Sequence, residues 1–151
     1  MKYVILGDPT PLARPRFAQT PSGKPRIWDI QREIKVNTGI TLKGQHEDRP
    51  FFKAPIALQL MFYFPIPINH RKGTIKEGDF YLHRPDLDNL EKFIIDIGTG
   101  ILYEDDRYIV KIQSEKIYSL QPRTEISIRT LSLKERFVSF IGKILPENNN
   151  E

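Results

Sequence analysis

At 151 residues the chain is close to the size of one domain and long enough to bury a core without metal or disulfide staples. It contains no cysteine, which excludes disulfides and thiolate metal sites, so any bound cation must be held by oxygen or imidazole. The formal net charge is only +4, but its distribution is uneven: from Asp86 to Asp106 seven acids accompany Lys92 alone, so that stretch carries −6 and the rest of the chain +10. No apolar run approaches the roughly 20 residues that span a bilayer, and the N-terminal MKYVILGDPT is too short in its apolar part for a signal peptide. A soluble, cytoplasmic protein with no membrane association is expected.

Taken in chain order, Lys2 to Leu6 is a β-rich run stopped by Gly7, Pro9 and Pro11, predicting an N-terminal strand that leads into an extended loop. That loop carries Arg14, Arg16, Lys24 and Arg26 without an acid, interleaved with Phe17 and Trp28. Guanidinium groups pair bidentately with phosphate and aromatic rings stack on exposed bases, so the segment is a candidate nucleic-acid strip; a merely solvated basic loop is the alternative. Asp29 is a candidate N-cap for a helix reaching about Gln45, although Thr38, Gly39, Ile40 and Thr41 have poor helix propensity and Gly39–Leu42 also reads as a strand. Ile56, Leu58, Leu60, Phe62 and Phe64 alternate, which predicts a half-buried strand ended by Pro65 and Pro67. The polar segment from Ile68 to Arg84 is expected to be a mobile loop or short hairpin. Its Arg71 and Lys72, with Arg84, join the candidate DNA contacts, and His83 is expected to lie at the surface or in contact with substrate rather than to be a ligand.

Leu90, Phe93, Ile94 and Ile97 follow the i, i+3, i+4, i+7 rule, predicting a helix from about Asp88 to Gly98 with that stripe in the core. Asp86 and Asp88 then sit at its N-terminal end, and Asp105-Asp106 return at the start of the next strand. Two carboxylates about 4 Å apart repel by about 4 kcal/mol at an effective dielectric near 20, so converging acids would need a cation. A hard divalent ion such as Mg²⁺ suits an all-oxygen site and is held by one or two carboxylates plus a substrate phosphate. Lys92, one turn on from Asp88, could then stabilise a phosphorane or a leaving oxygen. The plainer alternatives are that Asp88 is the N-cap, with Glu91 reaching back to it, and that Lys92 pairs with Glu91 or Asp96. Beyond this stretch, alternation at Tyr108, Val110 and Ile112 and at Ile126 and Ile128, with Gln121-Pro122 between them, predicts a hairpin. Ser132 to Glu135 has the form of a capping box before Phe137, Phe140, Ile141 and Ile144, predicting a C-terminal helix over 132–145 and a frayed tail over 146–151.

RPDLDNLEK, followed by Asp96, Gly100 and Asp105-Asp106, resembles the signature of the RusA family of Holliday junction resolvases, and GDPTPLARPRF is similar to that family's opening strand and Pro/Arg-rich loop. The similarity runs in the same order from about Lys2 to Ile128. It implies a single α+β domain over 1–145, with a small mixed sheet of four to five strands and two to three helices. It also implies a homodimer that cuts four-way DNA junctions with Mg²⁺ or Mn²⁺. Asp86, Asp88 and Asp106 would be its metal-binding catalytic carboxylates, Asp105 an alternative ligand and Lys92 the essential cation. A nuclease for flaps, forks or mobile-element DNA, and a DNA-binding protein without catalysis, remain the rival readings.

Overall fold

A computed structural model describes residues 1–13, 16–19, 25–28, 30–53, 55–68 and 74–132, with 16–19 and 25–28 as backbone only. The elements in chain order are β1 (Lys2–Leu6), β2 (Arg16–Gln19), β3 (Pro25–Trp28), α1 (Arg32–His46), β4 (Ile56–Pro65), α2 (Leu87–Gly98), β5 (Ile109–Ser119) and β6 (Arg123–Thr130). Four strands make one mixed sheet in the order β1-β6-β4-β5, and β2 and β3 pair separately as an antiparallel ribbon. Over the described residues the fold is thus α+β, with two helices, as the sequence implied. Among the described residues no helix is long and apolar enough to cross a membrane. The C-terminal helix and tail expected over 132–151 lie outside the described residues from position 133 onward.

β4 lies inside the sheet because its alternating face supplies most of the core. Ile56, Leu58, Leu60, Phe62 and Phe64 are all buried, against Leu90, Phe93, Ile94 and Ile97 of α2. Neighbouring strands extend this inward row: Leu58 lies opposite Ile112 and Ile128, Leu60 opposite Ser114 and Ile126, and Phe62 opposite Lys116 and Thr124. Two polar residues of β5, Ser114 and Lys116, therefore stand in the row that faces the helices.

The predicted hairpin is incorrect. β5 runs parallel to β4, joined to it by the crossover that contains α2, so it takes one side of β4; β6 takes the other side, antiparallel. Leu120, Gln121 and Pro122 pass the end of β4 beyond Pro65 to join them. Two strand spacings are about 10 Å, a distance that four peptide units can span. The alternation also misjudged β5, since Val110 is 61 % exposed at the sheet edge and Tyr108 belongs to a 3₁₀ turn before the strand.

Three further segments differ from the sequence reading. The Pro/Arg-rich stretch is a two-stranded ribbon rather than an extended loop, with Arg16 opposite Trp28 and Ala18 opposite Arg26. α1 continues through Thr38–Thr41 because Thr38, Leu42 and His46 recur one turn apart and are buried, so packing overrides local propensity. Its N-cap is Gln31; Asp29 lies outside the described residues. Finally, the part of the 68–84 segment that is described is not a free loop. Backbone bonds Gly78 N to Tyr118 O, Tyr118 N to Asp79 O and Tyr81 N to Lys116 O, each 2.9 Å, lay it along the outer edge of β5.

The edge of the sheet and the segment that precedes the ribbon are tied by glutamines. The Gln45 side chain accepts from Val4 N at 2.9 Å and donates to Val4 O at 2.7 Å, closing the outer edge of β1 as a paired strand would. Gln31 does the same for the segment before the ribbon, accepting from Ala13 N and donating to Pro11 O, both at 2.7 Å. Leu12 N donates to Asn89 O at 2.8 Å, so the chain leaves for Arg14 and the ribbon from beside the first turns of α2.

Candidate active site

The acidic stretch folds around α2. Its apolar stripe is buried as predicted, which turns Asp88, Lys92 and Asp96 outward, all exposed. The helix begins one residue earlier than expected, at Leu87, and Asp86 rather than Asp88 is the N-cap residue. Asp86 has the extended backbone of a cap (φ −70°, ψ 145°) but its side chain makes no capping bond. Its exposed carboxylate is thus uncommitted at the positive end of the helix dipole. The capping-box alternative fails on its other half too: Glu91 does not reach back but accepts a hydrogen bond from Ser114 Oγ on β5.

Asp88 is engaged with Lys92, whose Nζ lies 3.0 Å from Asp88 Oδ2 across one helical turn. This hydrogen bond, with the lysine's charge, holds the Asp88 carboxyl below its ordinary value, so it stays ionised further into acid than a free aspartate. With both partners more than half exposed, the pair is a poised contact rather than a structural one. Lys92 therefore pairs with neither Glu91 nor Asp96.

The backbone leading into Asp86 is held at three consecutive carbonyls. Lys116 Nζ donates to His83 O at 2.9 Å and to Pro85 O at 2.8 Å, and Tyr81 Oη donates to Arg84 O at 2.9 Å. The Arg84-Pro85 peptide is cis. Tyr81 is itself stacked on Phe64 with ring centroids 3.9 Å apart, and His83 lies edge-on to it at 5.6 Å. Sequence reasoning passed over Lys116 and Tyr81. The available signal was a lysine in the inward register of a strand, between Ser114 and Tyr118.

The returning pair divides its duties. Asp105 caps the 3₁₀ turn Asp106–Tyr108 by accepting from Arg107 N at 2.9 Å, with Arg107 Nε at 3.9 Å. Asp106 is left exposed and beside Tyr103, whose buried hydroxyl donates to Ile95 O at 3.0 Å. Burial, aided by the negative charges of Asp106 and Asp96, pushes that hydroxyl's pKa far above its usual value. Asp86 and Asp88 lie at the start of α2. Among the described residues no three His, Asp or Glu side chains are grouped to hold a metal ion. The donors present nonetheless fit a hard divalent cation: two exposed carboxylates two residues apart, one making no capping bond, leave remaining positions to water and a phosphate oxygen.

Of the candidate DNA contacts, Arg84 is exposed two residues before Asp86, and Arg16 and Arg26 lie on β2 and β3. Arg14, Lys24, Arg71 and Lys72 lie outside the described residues.

The chain is 27% identical over 139 residues to the uncharacterized protein YqaN of Bacillus subtilis, an alignment that covers 87% of this chain and 97% of that one. The family model described as Endodeoxyribonuclease RusA matches residues 7–129, which takes in the ribbon, both helices, and every carboxylate discussed above. With most of its length matched, and with Asp86, Asp88 and Lys92 brought together at one helix end, the chain belongs to the RusA endodeoxyribonuclease family.

Proposed function

We propose that this member of an endodeoxyribonuclease family resolves four-way DNA junctions, acting as a homodimer with Mg²⁺ or Mn²⁺. The observation that carries the reading is the exposed Asp86–Asp88 pair at the start of α2, with Lys92 poised on Asp88, inside a chain that matches the family over residues 7–129. Asp86 and Asp88 would hold the metal, with Asp106 as the expected third ligand; Asp105 is disfavoured because its carboxylate is spent on the Arg107 turn. A bound divalent ion would supply an activated water and neutralise charge on the phosphodiester. Lys92 exchanges its contact with Asp88 for an oxygen of the scissile phosphate, a small cost for so exposed a pair, and stabilises the charge developing there. Arg84 and the ribbon arginines orient the DNA backbone, since Leu12, which precedes the ribbon in sequence, is bonded to Asn89 O in the first turn of α2. A two-fold homodimer presents one such site to each of two opposed strands.

The test is nicking of a synthetic four-way junction in Mg²⁺. A protein that binds the junction but leaves every strand intact across Mg²⁺ and Mn²⁺ concentrations would overturn the reading. The DNA-contact part has its own check. Arg14→Ala with Arg16→Ala is expected to weaken junction binding and to reduce the slope of log K against log salt by about 2, one phosphate per arginine. An unchanged slope would remove both residues from the interface.

A further inference from the structure

The carbonyls that precede Asp86 are bound by a residue that is neither an acid nor part of the RPDLDNLEK motif. Lys116 is half-buried in the inward row of β5, where lysine is costly unless its charge is satisfied. Among the described residues it forms no ion pair; its ammonium is satisfied by His83 O and Pro85 O and lies 5.6 Å from the centre of the Tyr81 ring. The Tyr81 hydroxyl fills the gap between these two contacts by binding Arg84 O. One cation and one phenol therefore fix three successive peptide units, and the next residue is Asp86.

We infer that Lys116 is the positioning residue of the active site, fixing the backbone ahead of Asp86 through the carbonyls of His83 and Pro85. This deepens the nuclease reading and rests on it. Lys92 occupies an Asp88 oxygen, so it competes for a position a metal would use. Lys116 acts through carbonyl oxygens instead. It fixes the backbone that carries Asp86 without occupying a carboxylate oxygen, and it does so from a strand of the sheet rather than from an exposed helix side chain. Tyr81 assists because its stacking on Phe64 fixes the hydroxyl.

The test compares Lys116→Met, Lys116→Arg and Tyr81→Phe with the unaltered protein, measuring Mn²⁺ affinity of the DNA-free protein by electron paramagnetic resonance, junction affinity without metal, and single-turnover cleavage. Lys116→Met is expected to weaken Mn²⁺ binding and slow cleavage by about 10- to 100-fold each, with junction affinity unchanged. Lys116→Arg, which keeps the charge and can donate to two carbonyls, is expected to recover most of both losses. Tyr81→Phe should shift both in the same direction by less. Unaltered Mn²⁺ affinity in Lys116→Met, or an arginine variant as defective as the methionine one, overturns the inference. If Lys116→Met does not fold, Tyr81→Phe decides, and normal metal affinity and cleavage there overturn it. Asp88→Asn run in parallel separates the two levels: full cleavage by that variant sinks the nuclease assignment of the loop, whereas a dead Asp88→Asn beside a normal Lys116→Met sinks the role of Lys116 alone.

Discussion

Asp88→Asn is expected to bind a four-way junction and leave it uncut, with the cleavage rate lowered by at least about a thousandfold. Asparagine matches aspartate in shape and removes only the charge. Asp88 is exposed and is not the N-cap, so the fold depends little on it, and the lost contact with Lys92 is a solvent-screened surface pair that contributes little to stability. Losing one negative charge from a surface that must approach phosphates leaves junction affinity equal or stronger. The combination matters more than either half, since a destabilised protein would lose both properties together. Gel-shift titration without metal and single-turnover cleavage with Mg²⁺ measure the two halves, and cleavage at the unaltered rate would remove Asp88 from the chemistry.

The largest expected effect on stability is at the other end of α2. A Cβ placed on Gly98 would lie 2.8 Å from Cζ of Tyr103 and closer still to its hydroxyl, so Gly98→Ala forces the ring to move. Tyr103 has nowhere to go. It is fully buried, its hydroxyl is bound to Ile95 O, and its own carbonyl accepts from Gly100 N at 2.7 Å. Overpacking costs about 1–3 kcal/mol and a stranded buried hydroxyl about 1–3 more, against a gain in helix propensity of at most about 1. A fall in Tm of about 5–15 °C is therefore expected by calorimetry. With Asp106 as the proposed third ligand, cleavage is expected to fall as well, because the segment that carries it follows Tyr103 in the chain. A Gly98→Ala protein melting with the unaltered one would show that this packing is looser than described.

Much of this arrangement was readable in advance where a repeating pattern was paid out over several residues. The four apolar positions of α2 and the five of β4 are buried as their periodicities required, because each period demands one covered face. Lateral order was not readable. A three-residue link containing proline looks the same whether it joins adjacent strands or passes the end of a third, and only the parallel crossover through α2 decides that β4 separates β5 from β6. At the site, the residue types came from the motif, but their division of labour came from geometry. Asp86 rather than Asp88 is the cap residue because the helix begins at Leu87, and Asp105 is occupied by a turn that needs a side-chain acceptor. Lys116 was hidden for a different reason. It lies thirty positions beyond Asp86, and only the folded sheet brings it to the carbonyls that precede that residue.

The central claim is that these residues form a nuclease centre selective for branched DNA. The most direct measurement compares initial cleavage rates on a four-way junction, a flap and a linear duplex of matched sequence in Mg²⁺, with Asp88→Asn as the control for contaminating activity. The account predicts paired nicks in opposed strands of the junction, much slower cutting of the flap and duplex, and no cutting by the variant. Equal rates on all three substrates, or cleavage that survives in Asp88→Asn, would contradict it.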